Sequence, residues 1–272
     1  FLLFEISVSR VQSVGGLHPG FKESHLNWIE SDGLFLLSNN SNFALGFVQD
    51  VTLFSLVIVH KGSSRVVWTA NRGSPVRNID MFVFDETGNV YLEKQGGIVW
   101  STNTGGKGVT AMELHNSGNL VLIGNSSQPI WQSFSYPTDT LLSNQLFFNG
   151  MRLVSEPNSN NLSFYLEMKT GDVVLYGGFT TPQPYWSLAN DFRKSINQED
   201  GVITSASLIS NSWSFFDLNQ TLVSQFLFSN DSSPNVTTAA VLGADGFISF
   251  YNLQNGAGPI KIPEDECSTP EP

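Results

Sequence analysis

The 272-residue sequence is poor in cysteine and in charge. Charged side chains make up 14% of it, and 24 acidic residues against 13 basic ones give a net charge of −11. Nucleic acids and anionic membrane surfaces attract basic proteins, so this balance argues against both as partners. The single cysteine, Cys267, lies in a Pro-rich acidic tail, which is typical of the first member of a disulfide cluster in a longer chain. The chain also starts at Phe1 rather than at a methionine, so we expect it to be a fragment.

The sequence also lacks helical periodicity and catalytic motifs. No stretch repeats apolar residues with the spacing of a long amphipathic helix, and no apolar run is long enough to cross a bilayer. A nucleophile turn of the Gly-X-Ser-X-Gly type, a Gly-rich phosphate loop and a His-Glu-X-X-His zinc motif are all missing. The four histidines are scattered, so we predict no catalytic residue, no metal and no cofactor. A pair of catalytic carboxylates, as glycosidases use, stays open as an alternative, although no feature of the sequence singles out two of the acidic residues.

Phenylalanine and glycine, by contrast, are abundant, with 21 and 24 residues, and a short pattern recurs. In four places a glycine turn is followed by an alternating apolar run. The glycines of these turns are Gly33, Gly88, Gly118 and Gly171. Trp100, Trp131 and Trp186 follow the last three at similar distances. A repeated turn, strand and tryptophan predicts short hairpins around a shared core, because each hairpin is too small to bury its own apolar face.

The pattern divides the chain into four regions. Residues 1–20 have no strand pattern and open with an apolar stretch, which predicts a leader or the remnant of a secretory signal peptide. The first strand is predicted at Trp28, and residues 21–150 are expected to form a first β domain. Residues 151–251 are expected to form a second β domain. Residues 252–272 lose the alternation and are rich in Gly, Pro and acidic residues, which predicts a linker.

Asn-X-Ser/Thr triplets, the acceptor sequence for N-glycosylation, favour a secreted protein. The candidate acceptors are Asn39, Asn125, Asn161, Asn219, Asn230 and Asn235. Composition alone predicts roughly four such triplets by chance, so the six in this sequence are a mild excess. Several of them fall in turns rich in Ser, Asn and Pro, where an oligosaccharide is tolerated.

Three longer motifs resemble the bulb-type (G-type) lectin module of plant receptor-like kinases. They are Val67–Val76 (VWTANRGSPV), Ser117–Leu122 (SGNLVL) and Trp131–Leu142 (WQSFSYPTDTLL). The opening segment Phe21–Ile29 (FKESHLNWI) is similar to the SD2 subgroup of the G-type lectin S-receptor-like serine/threonine kinases. The resemblance extends over most of residues 20–270.

The resemblance implies an all-β fold of tandem β-prism II (bulb-lectin type) domains. Each prism has three four-stranded sheets with pseudo-threefold symmetry, and Trp68, Trp100 and Trp131 would be its core tryptophans. Residues 151–251 would be a second lectin-like domain of the S-locus glycoprotein type. A cysteine-rich segment, a membrane-spanning helix and a cytoplasmic kinase would follow, so Cys267 would pair outside this chain. The region would lie outside the plasma membrane and bind a glycan, lipid or peptide, with a homodimer or a co-receptor as partner.

Mannose-binding relatives carry Gln-X-Asp-X-Asn-X-Val-X-Tyr along a strand, and alternate residues share one face. Aligned through the turn glycines, the second unit keeps Asn89, the third keeps Asn119 and Val121, and the second domain keeps Val174 and Tyr176. Asn89, Asn119, Val121 and Tyr176 are therefore the candidate ligand-binding residues. No copy keeps more than two of the five positions, and each sugar hydroxyl left without a partner costs about 1–3 kcal/mol. We therefore expect these strands not to bind mannose.

The predicted function is ligand recognition by the extracellular region of a receptor-like kinase whose catalytic domain is absent from this chain. Two alternatives stay open. A soluble mannose-binding agglutinin predicts glycan binding, and a carbohydrate-active enzyme predicts turnover that depends on an acid pair.

Overall fold

The computed structural model describes residues 12–126, 128–169, 171–231 and 236–265. Contacts divide these residues into two compact units. The first comprises the described residues up to Lys61 together with Thr69–Gln132, and the second comprises Gly62–Trp68 and the described residues from Ser133 onward. Short 3₁₀ helices occur at His25–Ser31, Ser133–Ser135 and Leu188–Asn190, and the other regular elements are strands.

The strands before residue 133 are β1 (Ser13–Val14), β2 (Lys22–Ser24), β3 (Leu34–Leu37), β4 (Phe43–Asp50), β5 (Leu53–His60), β6 (Arg65–Thr69), β7 (Met81–Phe84), β8 (Val90–Lys94), β9 (Gly97–Ser101), β10 (Ala111–Leu114), β11 (Leu120–Ile123) and β12 (Pro129–Gln132). Those after it are β13 (Thr140–Leu142), β14 (Phe147–Phe148), β15 (Arg152–Val154), β16 (Phe164–Lys169), β17 (Asp172–Gly177), β18 (Gln183–Ser187), β19 (Lys194–Ile196), β20 (Ser205–Ile209), β21 (Ser212–Phe216), β22 (Leu222–Leu227), β23 (Thr238–Leu242), β24 (Ile248–Asn252) and β25 (Gly256–Ile262).

The first unit contains three sheets. Strands β1, β3, β4 and β5 follow one another in one sheet, β2-β7-β8-β9 form the second, and β10-β11-β12 form the third. Leu17 forms a single β-bridge with Met112 and so extends the third sheet. Phe35 is fully buried, and its ring centroid lies 5.1 Å from that of Phe82 on the second sheet. Aromatic packing between sheets thus forms the core of this unit.

The second unit also contains three sheets. Their strand orders are β13-β23-β24-β25, β15-β16-β17-β18 and β14-β20-β21-β22-β19. The core includes the fully buried Trp213, whose ring lies 6.2 Å from that of Phe250, and the ring of Phe228 stacks on Phe250 at 4.5 Å. The prediction of an all-β chain with tandem domains of the three-sheet β-prism II type is confirmed, but the sheets have three to five described strands rather than four each.

The repeated turn–strand–tryptophan pattern corresponds to one recurring hairpin. The four turn glycines have φ angles of +80°, +85°, +85° and +79°, a left-handed conformation that glycine adopts readily. In three sheets the tryptophan lies directly opposite a fully buried leucine of the preceding strand. The pairs are Leu92 with Trp100, Leu122 with Trp131 and Leu175 with Trp186. A register shift immediately follows each leucine, so even the irregularity recurs.

Two of the three predicted core tryptophans contact each other. The rings of Trp100 and Trp131 lie 6.0 Å apart with an interplanar angle of 78°, an edge-to-face arrangement. Trp131 and Trp68 are buried, whereas Trp100 is only partly buried. Trp68 belongs to the second unit, and its indole N–H donates a hydrogen bond of 2.8 Å to the carbonyl oxygen of Tyr136 in the same unit.

The ends of the predicted domains differ from the structure. Within the predicted leader, β1 pairs with β3 and Leu17 is buried. The sequence did not predict this strand, because two residues are too few to show alternation. The strand predicted at Trp28 is a 3₁₀ helix. The predicted linker contains β25, an edge strand of its sheet, where a Gly- and Pro-containing sequence is tolerated. The units divide at Gln132, earlier than the predicted residue 150, because β13 pairs with β23.

Candidate functional site

The candidate Asn89 is engaged within its own sheet. Its Oδ1 accepts hydrogen bonds from Ser101 Oγ at 3.1 Å and from the Thr104 backbone N–H at 3.0 Å. Asp85, which occupies the Gln position of the mannose motif, accepts from the Thr87 N–H at 2.9 Å and the Asn89 N–H at 3.0 Å. Burial alone would raise the pKa of Asp85, but these hydrogen bonds outweigh it and hold the pKa below its ordinary value. Both side chains shape the turn into β8.

In the third sheet, Asn119 and Val121 are both buried. Asn119 is 8% exposed, and its Nδ2 donates to Gln132 Oε1 at 2.8 Å on the neighbouring strand. Val121 is 1% exposed, so its side chain offers no surface to a sugar ring. His115, at the Gln position, pairs with the side chain of Glu113 at 3.4 Å. This strand therefore presents none of the contacts that the motif requires.

Tyr176 in the second unit lies on a partly exposed sheet face. Its ring stacks on the ring of Tyr165 at 4.9 Å, with an angle of 14° between the planes. The guanidinium of Arg152 lies 4.6 Å above Tyr165 and also pairs with Glu167 at 3.1 Å. One face of each tyrosine is therefore covered by its neighbour. Tyr176 belongs to the second unit, whereas Asn89, Asn119 and Val121 belong to the first.

A concave site that the sequence did not predict lies in the second unit. It is a cavity of about 690 Å³, within the range of small-ligand and peptide sites. Strand β18, the 3₁₀ helix Leu188–Asn190, the loop that follows it and the segment after β25 provide the walls. The apolar lining includes Pro184, Trp186, Phe192 and Pro263.

A hydrogen-bonded cluster supports one wall of this cavity. The side chain of Asp191 is 3% exposed, and it accepts from Arg193 Nη2 at 2.6 Å and from Arg193 Nε at 3.0 Å. It also accepts from the Trp186 indole N–H at 2.9 Å and the Arg193 backbone N–H at 2.9 Å. Burial alone would raise the pKa of Asp191, but the bonds from Arg193 and Trp186 outweigh it and lower the pKa. All the acceptor positions of this carboxylate are thus in use.

The rim of the cavity carries exposed groups of two kinds. Phe192 is 85% exposed, although it is flanked by two positions of the ordered cluster just described. Glu264 is 61% exposed and lies 3.8 Å from Arg193 Nε, and Asp265 is next to it in the chain. Asn190 adds an exposed amide. The signal that could have found this site is the triplet Asp191-Phe192-Arg193, which places a large apolar residue between opposite charges in a loop.

Several predicted positions concern modification rather than binding. Asn39, Asn125, Asn161, Asn219 and Asn230 are all exposed. Asn235 and Cys267 lie outside the described residues. Within the described ranges, no helix is both long and apolar enough to span a bilayer, and no cluster of His, Cys, Asp and Glu is arranged to hold a metal ion.

Comparison with known proteins identifies the relatives of this chain. Residues 65–163 match the family model described as D-mannose binding lectin. Over 269 residues the chain is 51% identical to the G-type lectin S-receptor-like serine/threonine-protein kinase SD2-5 of Arabidopsis thaliana, covering 96% of this chain and 32% of that protein. EP1-like glycoprotein 3 of Arabidopsis thaliana is 41% identical over 149 residues, covering 52% of this chain and 33% of that protein. The chain thus spans about a third of the length of these relatives.

Solved lectin structures are more distant. The two-domain fetuin-binding agglutinin of Scilla campanulata is 18% identical and aligns over 79% of this chain and 91% of its own with a TM-score of 0.33. The mannose-specific agglutinin of snowdrop (Galanthus nivalis) is also 18% identical, and it covers 60% of this chain and 89% of its own with a TM-score of 0.20. The sheet topology described above therefore carries the fold assignment. The sequence similarity confirms the resemblance given by the motifs: the chain is related to the G-type lectin S-receptor-like serine/threonine-protein kinases and contains a bulb-type lectin region.

Proposed function

We propose that this chain is the extracellular ligand-recognition region of a plant plasma-membrane receptor-like serine/threonine kinase. The observation that carries the proposal is the 51% identity to such a kinase over 96% of the chain. The kinase domain and a membrane-spanning helix belong to the rest of the protein, and Cys267 pairs with a cysteine-rich module that follows. Ligand binding reaches the kinase through a homodimer or a co-receptor.

Exposed sequons support the extracellular assignment. All five described acceptor asparagines are accessible to solvent, as glycosylation in the secretory pathway requires. The net charge of −11 favours a neutral or basic partner surface.

The strand positions of the mannose motif act in folding rather than in sugar binding. Asn89 and Asp85 hold a turn together, Asn119 bridges two strands, and Val121 is buried. Because these contacts already occupy the groups that would recognise a sugar, the recognition surface lies elsewhere in the chain.

The test is the topology of the full-length gene product in plant cells. We expect a tag placed before the lectin region to be removed by protease added to intact protoplasts, while a tag at the C-terminus is protected. Endoglycosidase treatment should lower the mass of the protein, and Asn39→Gln should reduce that change by one glycan. Release of the whole protein into the medium together with retention on a mannose column would contradict the proposal and support the soluble agglutinin.

A further inference from the structure

The cavity of the second unit combines exposed aromatic surface with rigid walls. Phe192 is 85% exposed, and Pro184, Trp186 and Pro263 line the same cavity. An exposed apolar side chain grouped with other apolar residues around a concave surface is typical of interaction sites. Proline and tryptophan side chains lose little conformational freedom on binding, so contacts made here carry a small entropic cost.

The charges that a ligand would meet at this cavity are negative. Arg193 forms a close pair with Asp191 and lies 3.8 Å from Glu264, so a single positive charge faces these two carboxylates, and Asp191 has no acceptor position left. Arg193 also donates to the carbonyl oxygen of Lys261 at 3.1 Å, so it cannot offer its full planar face to a carboxylate or phosphate. Glu264 and Asp265 at the rim give the lining residues an excess of negative charge.

We propose that this cavity binds a cationic peptide segment, with an apolar side chain against Phe192 and Trp186 and a Lys or Arg side chain beside Glu264 and Asp265. The net charge of −11 attracts such a segment from solution, and a cation gains further from nearby aromatic rings. A sugar finds poorer chemistry, because the buried carboxylate that would accept its hydroxyls is saturated. The inference deepens the proposed recognition function by naming a site and a ligand class.

The experiment uses the 272-residue chain and three capped hexapeptides of one sequence. The sequence is Leu-Arg-Gly-Leu-Lys-Gly, with Gln or Glu replacing both basic residues in the other two peptides. Binding is followed by the indole N–H resonance of Trp186, which is assigned with Trp186→Phe. We expect only the cationic peptide to shift this resonance, with a Kd of about 1 mM or tighter that weakens as salt is added.

Variants test the apolar part and the acidic part of the site separately. Phe192→Ser should weaken binding about tenfold, as should the double change Glu264→Gln with Asp265→Asn, which should also remove most of the salt dependence. The matched controls are Leu218→Ser, at an apolar residue that is 82% exposed, and Glu199→Gln with Asp200→Asn, an exposed acidic pair. Neither control position lines the cavity, and both should bind as the unchanged chain does.

Four results would overturn the inference. They are an equal shift of the Trp186 resonance by the Gln or Glu peptide, an equal shift by methyl α-mannoside, an equal loss of binding in the control variants, and no shift by the cationic peptide at about 5 mM. The side chains changed in the binding variants and in the controls are all exposed, so unchanged unfolding midpoints exclude misfolding as the cause. The test needs neither membrane nor kinase, so its failure would leave the topology test of the receptor proposal unaffected.

Discussion

Trp131 and Trp186 occupy the same position in two copies of one hairpin, the first in the first unit and the second in the second unit. Each lies opposite a fully buried leucine, Leu122 or Leu175, and a register shift follows in both. The ring of Trp131 meets that of Trp100 in an edge-to-face contact, whereas Trp186 lines a cavity and donates its indole N–H to the carboxylate of Asp191. The repeat therefore specifies the geometry of the strands, and residues outside it decide what the tryptophan contacts.

The residues that make the difference lie in the connection after the tryptophan strand. After Trp131 the chain leaves the first unit, whose last residue is Gln132. After Trp186 it turns through a short 3₁₀ helix, which brings Asp191 back to the indole N–H. The loop that places Asp191 against the indole N–H of Trp186 also leaves Phe192 at the surface.

The largest effect should come from the leucines that the two hairpins share. Leu122→Ala and Leu175→Ala each remove a side chain with 0% exposure, so each should lower the free energy of unfolding by about 3 kcal/mol. Guanidinium unfolding followed by circular dichroism measures this loss. Leu218→Ala, at a residue that is 82% exposed, serves as the control and should change stability by less than about 0.5 kcal/mol. A loss in only one of the two hairpins would show that the shared register does not reflect shared packing.

The second effect tests the carboxylate that accepts the indole N–H of Trp186. Asp191→Asn keeps the shape of the side chain but removes its charge, and should lower the free energy of unfolding by about 2 kcal/mol at neutral pH, since hydrogen bonds to a charged group are lost. The folded state lowers the pKa of Asp191, so its stabilisation is present above the unfolded pKa of about 3.9 and is lost as the pH falls towards the lower folded value.

The pH dependence supplies the check on this prediction. Unfolding curves of the wild type and of Asp191→Asn should differ at pH 7, and the difference should shrink only as the pH falls below about 4 towards the folded pKa of Asp191. Asp200→Asn, at an exposed aspartate, should leave the curve unchanged at both values. A difference that stays constant into the acid range would assign the loss to the amide N–H2 that Asn places against the Arg193 and Trp186 donors rather than to the missing charge.

Much of the fold could be predicted because the turns are local. A glycine with positive φ followed by alternating apolar residues marks the start of β3, β8, β11 and β17, and the four glycines were all recognised. The same pattern at Asp245-Gly246, with a φ of +82° and strand β24 directly after Phe247, was available but missed. The backbone conformation of such a turn depends on neighbouring residues, so it can be predicted from a single sequence.

The cavity could not be predicted, because its walls come from distant parts of the chain. Pro184 and Phe192 are separated from Pro263 by about seventy residues of sequence. Which side chains meet there depends on how β19 and β25 join different sheets, and strand order leaves no local trace in composition. The mannose motif is limited in a related way, since a spacing of two predicts that residues share a face but not whether that face is buried, as it is at Val121.

A smaller effect on stability is expected from the aspartate turns of the two units. Asp85 accepts from the backbone N–H groups two and four residues ahead in the first unit, and Asp217 does the same in the second. Asp85→Ala and Asp217→Ala should each lower the free energy of unfolding by about 1 kcal/mol, measured by guanidinium unfolding. Asp85→Asn and Asp217→Asn keep the accepting oxygen and should cost less than half as much, whereas equal losses for Asn and Ala would argue against the hydrogen bonds as the cause.

We expect the first unit not to bind mannose. Calorimetric titration with methyl α-mannoside should show no binding heat, because Asn119 is bonded to Gln132 and Val121 is 1% exposed. Asn119→Ala should therefore leave the titration unchanged while lowering stability by about 1 kcal/mol through loss of the cross-strand bond. Millimolar or tighter mannose affinity that disappears in Asn119→Ala would reverse the comparison, since the strands of the first unit, rather than the cavity of the second, would then carry recognition.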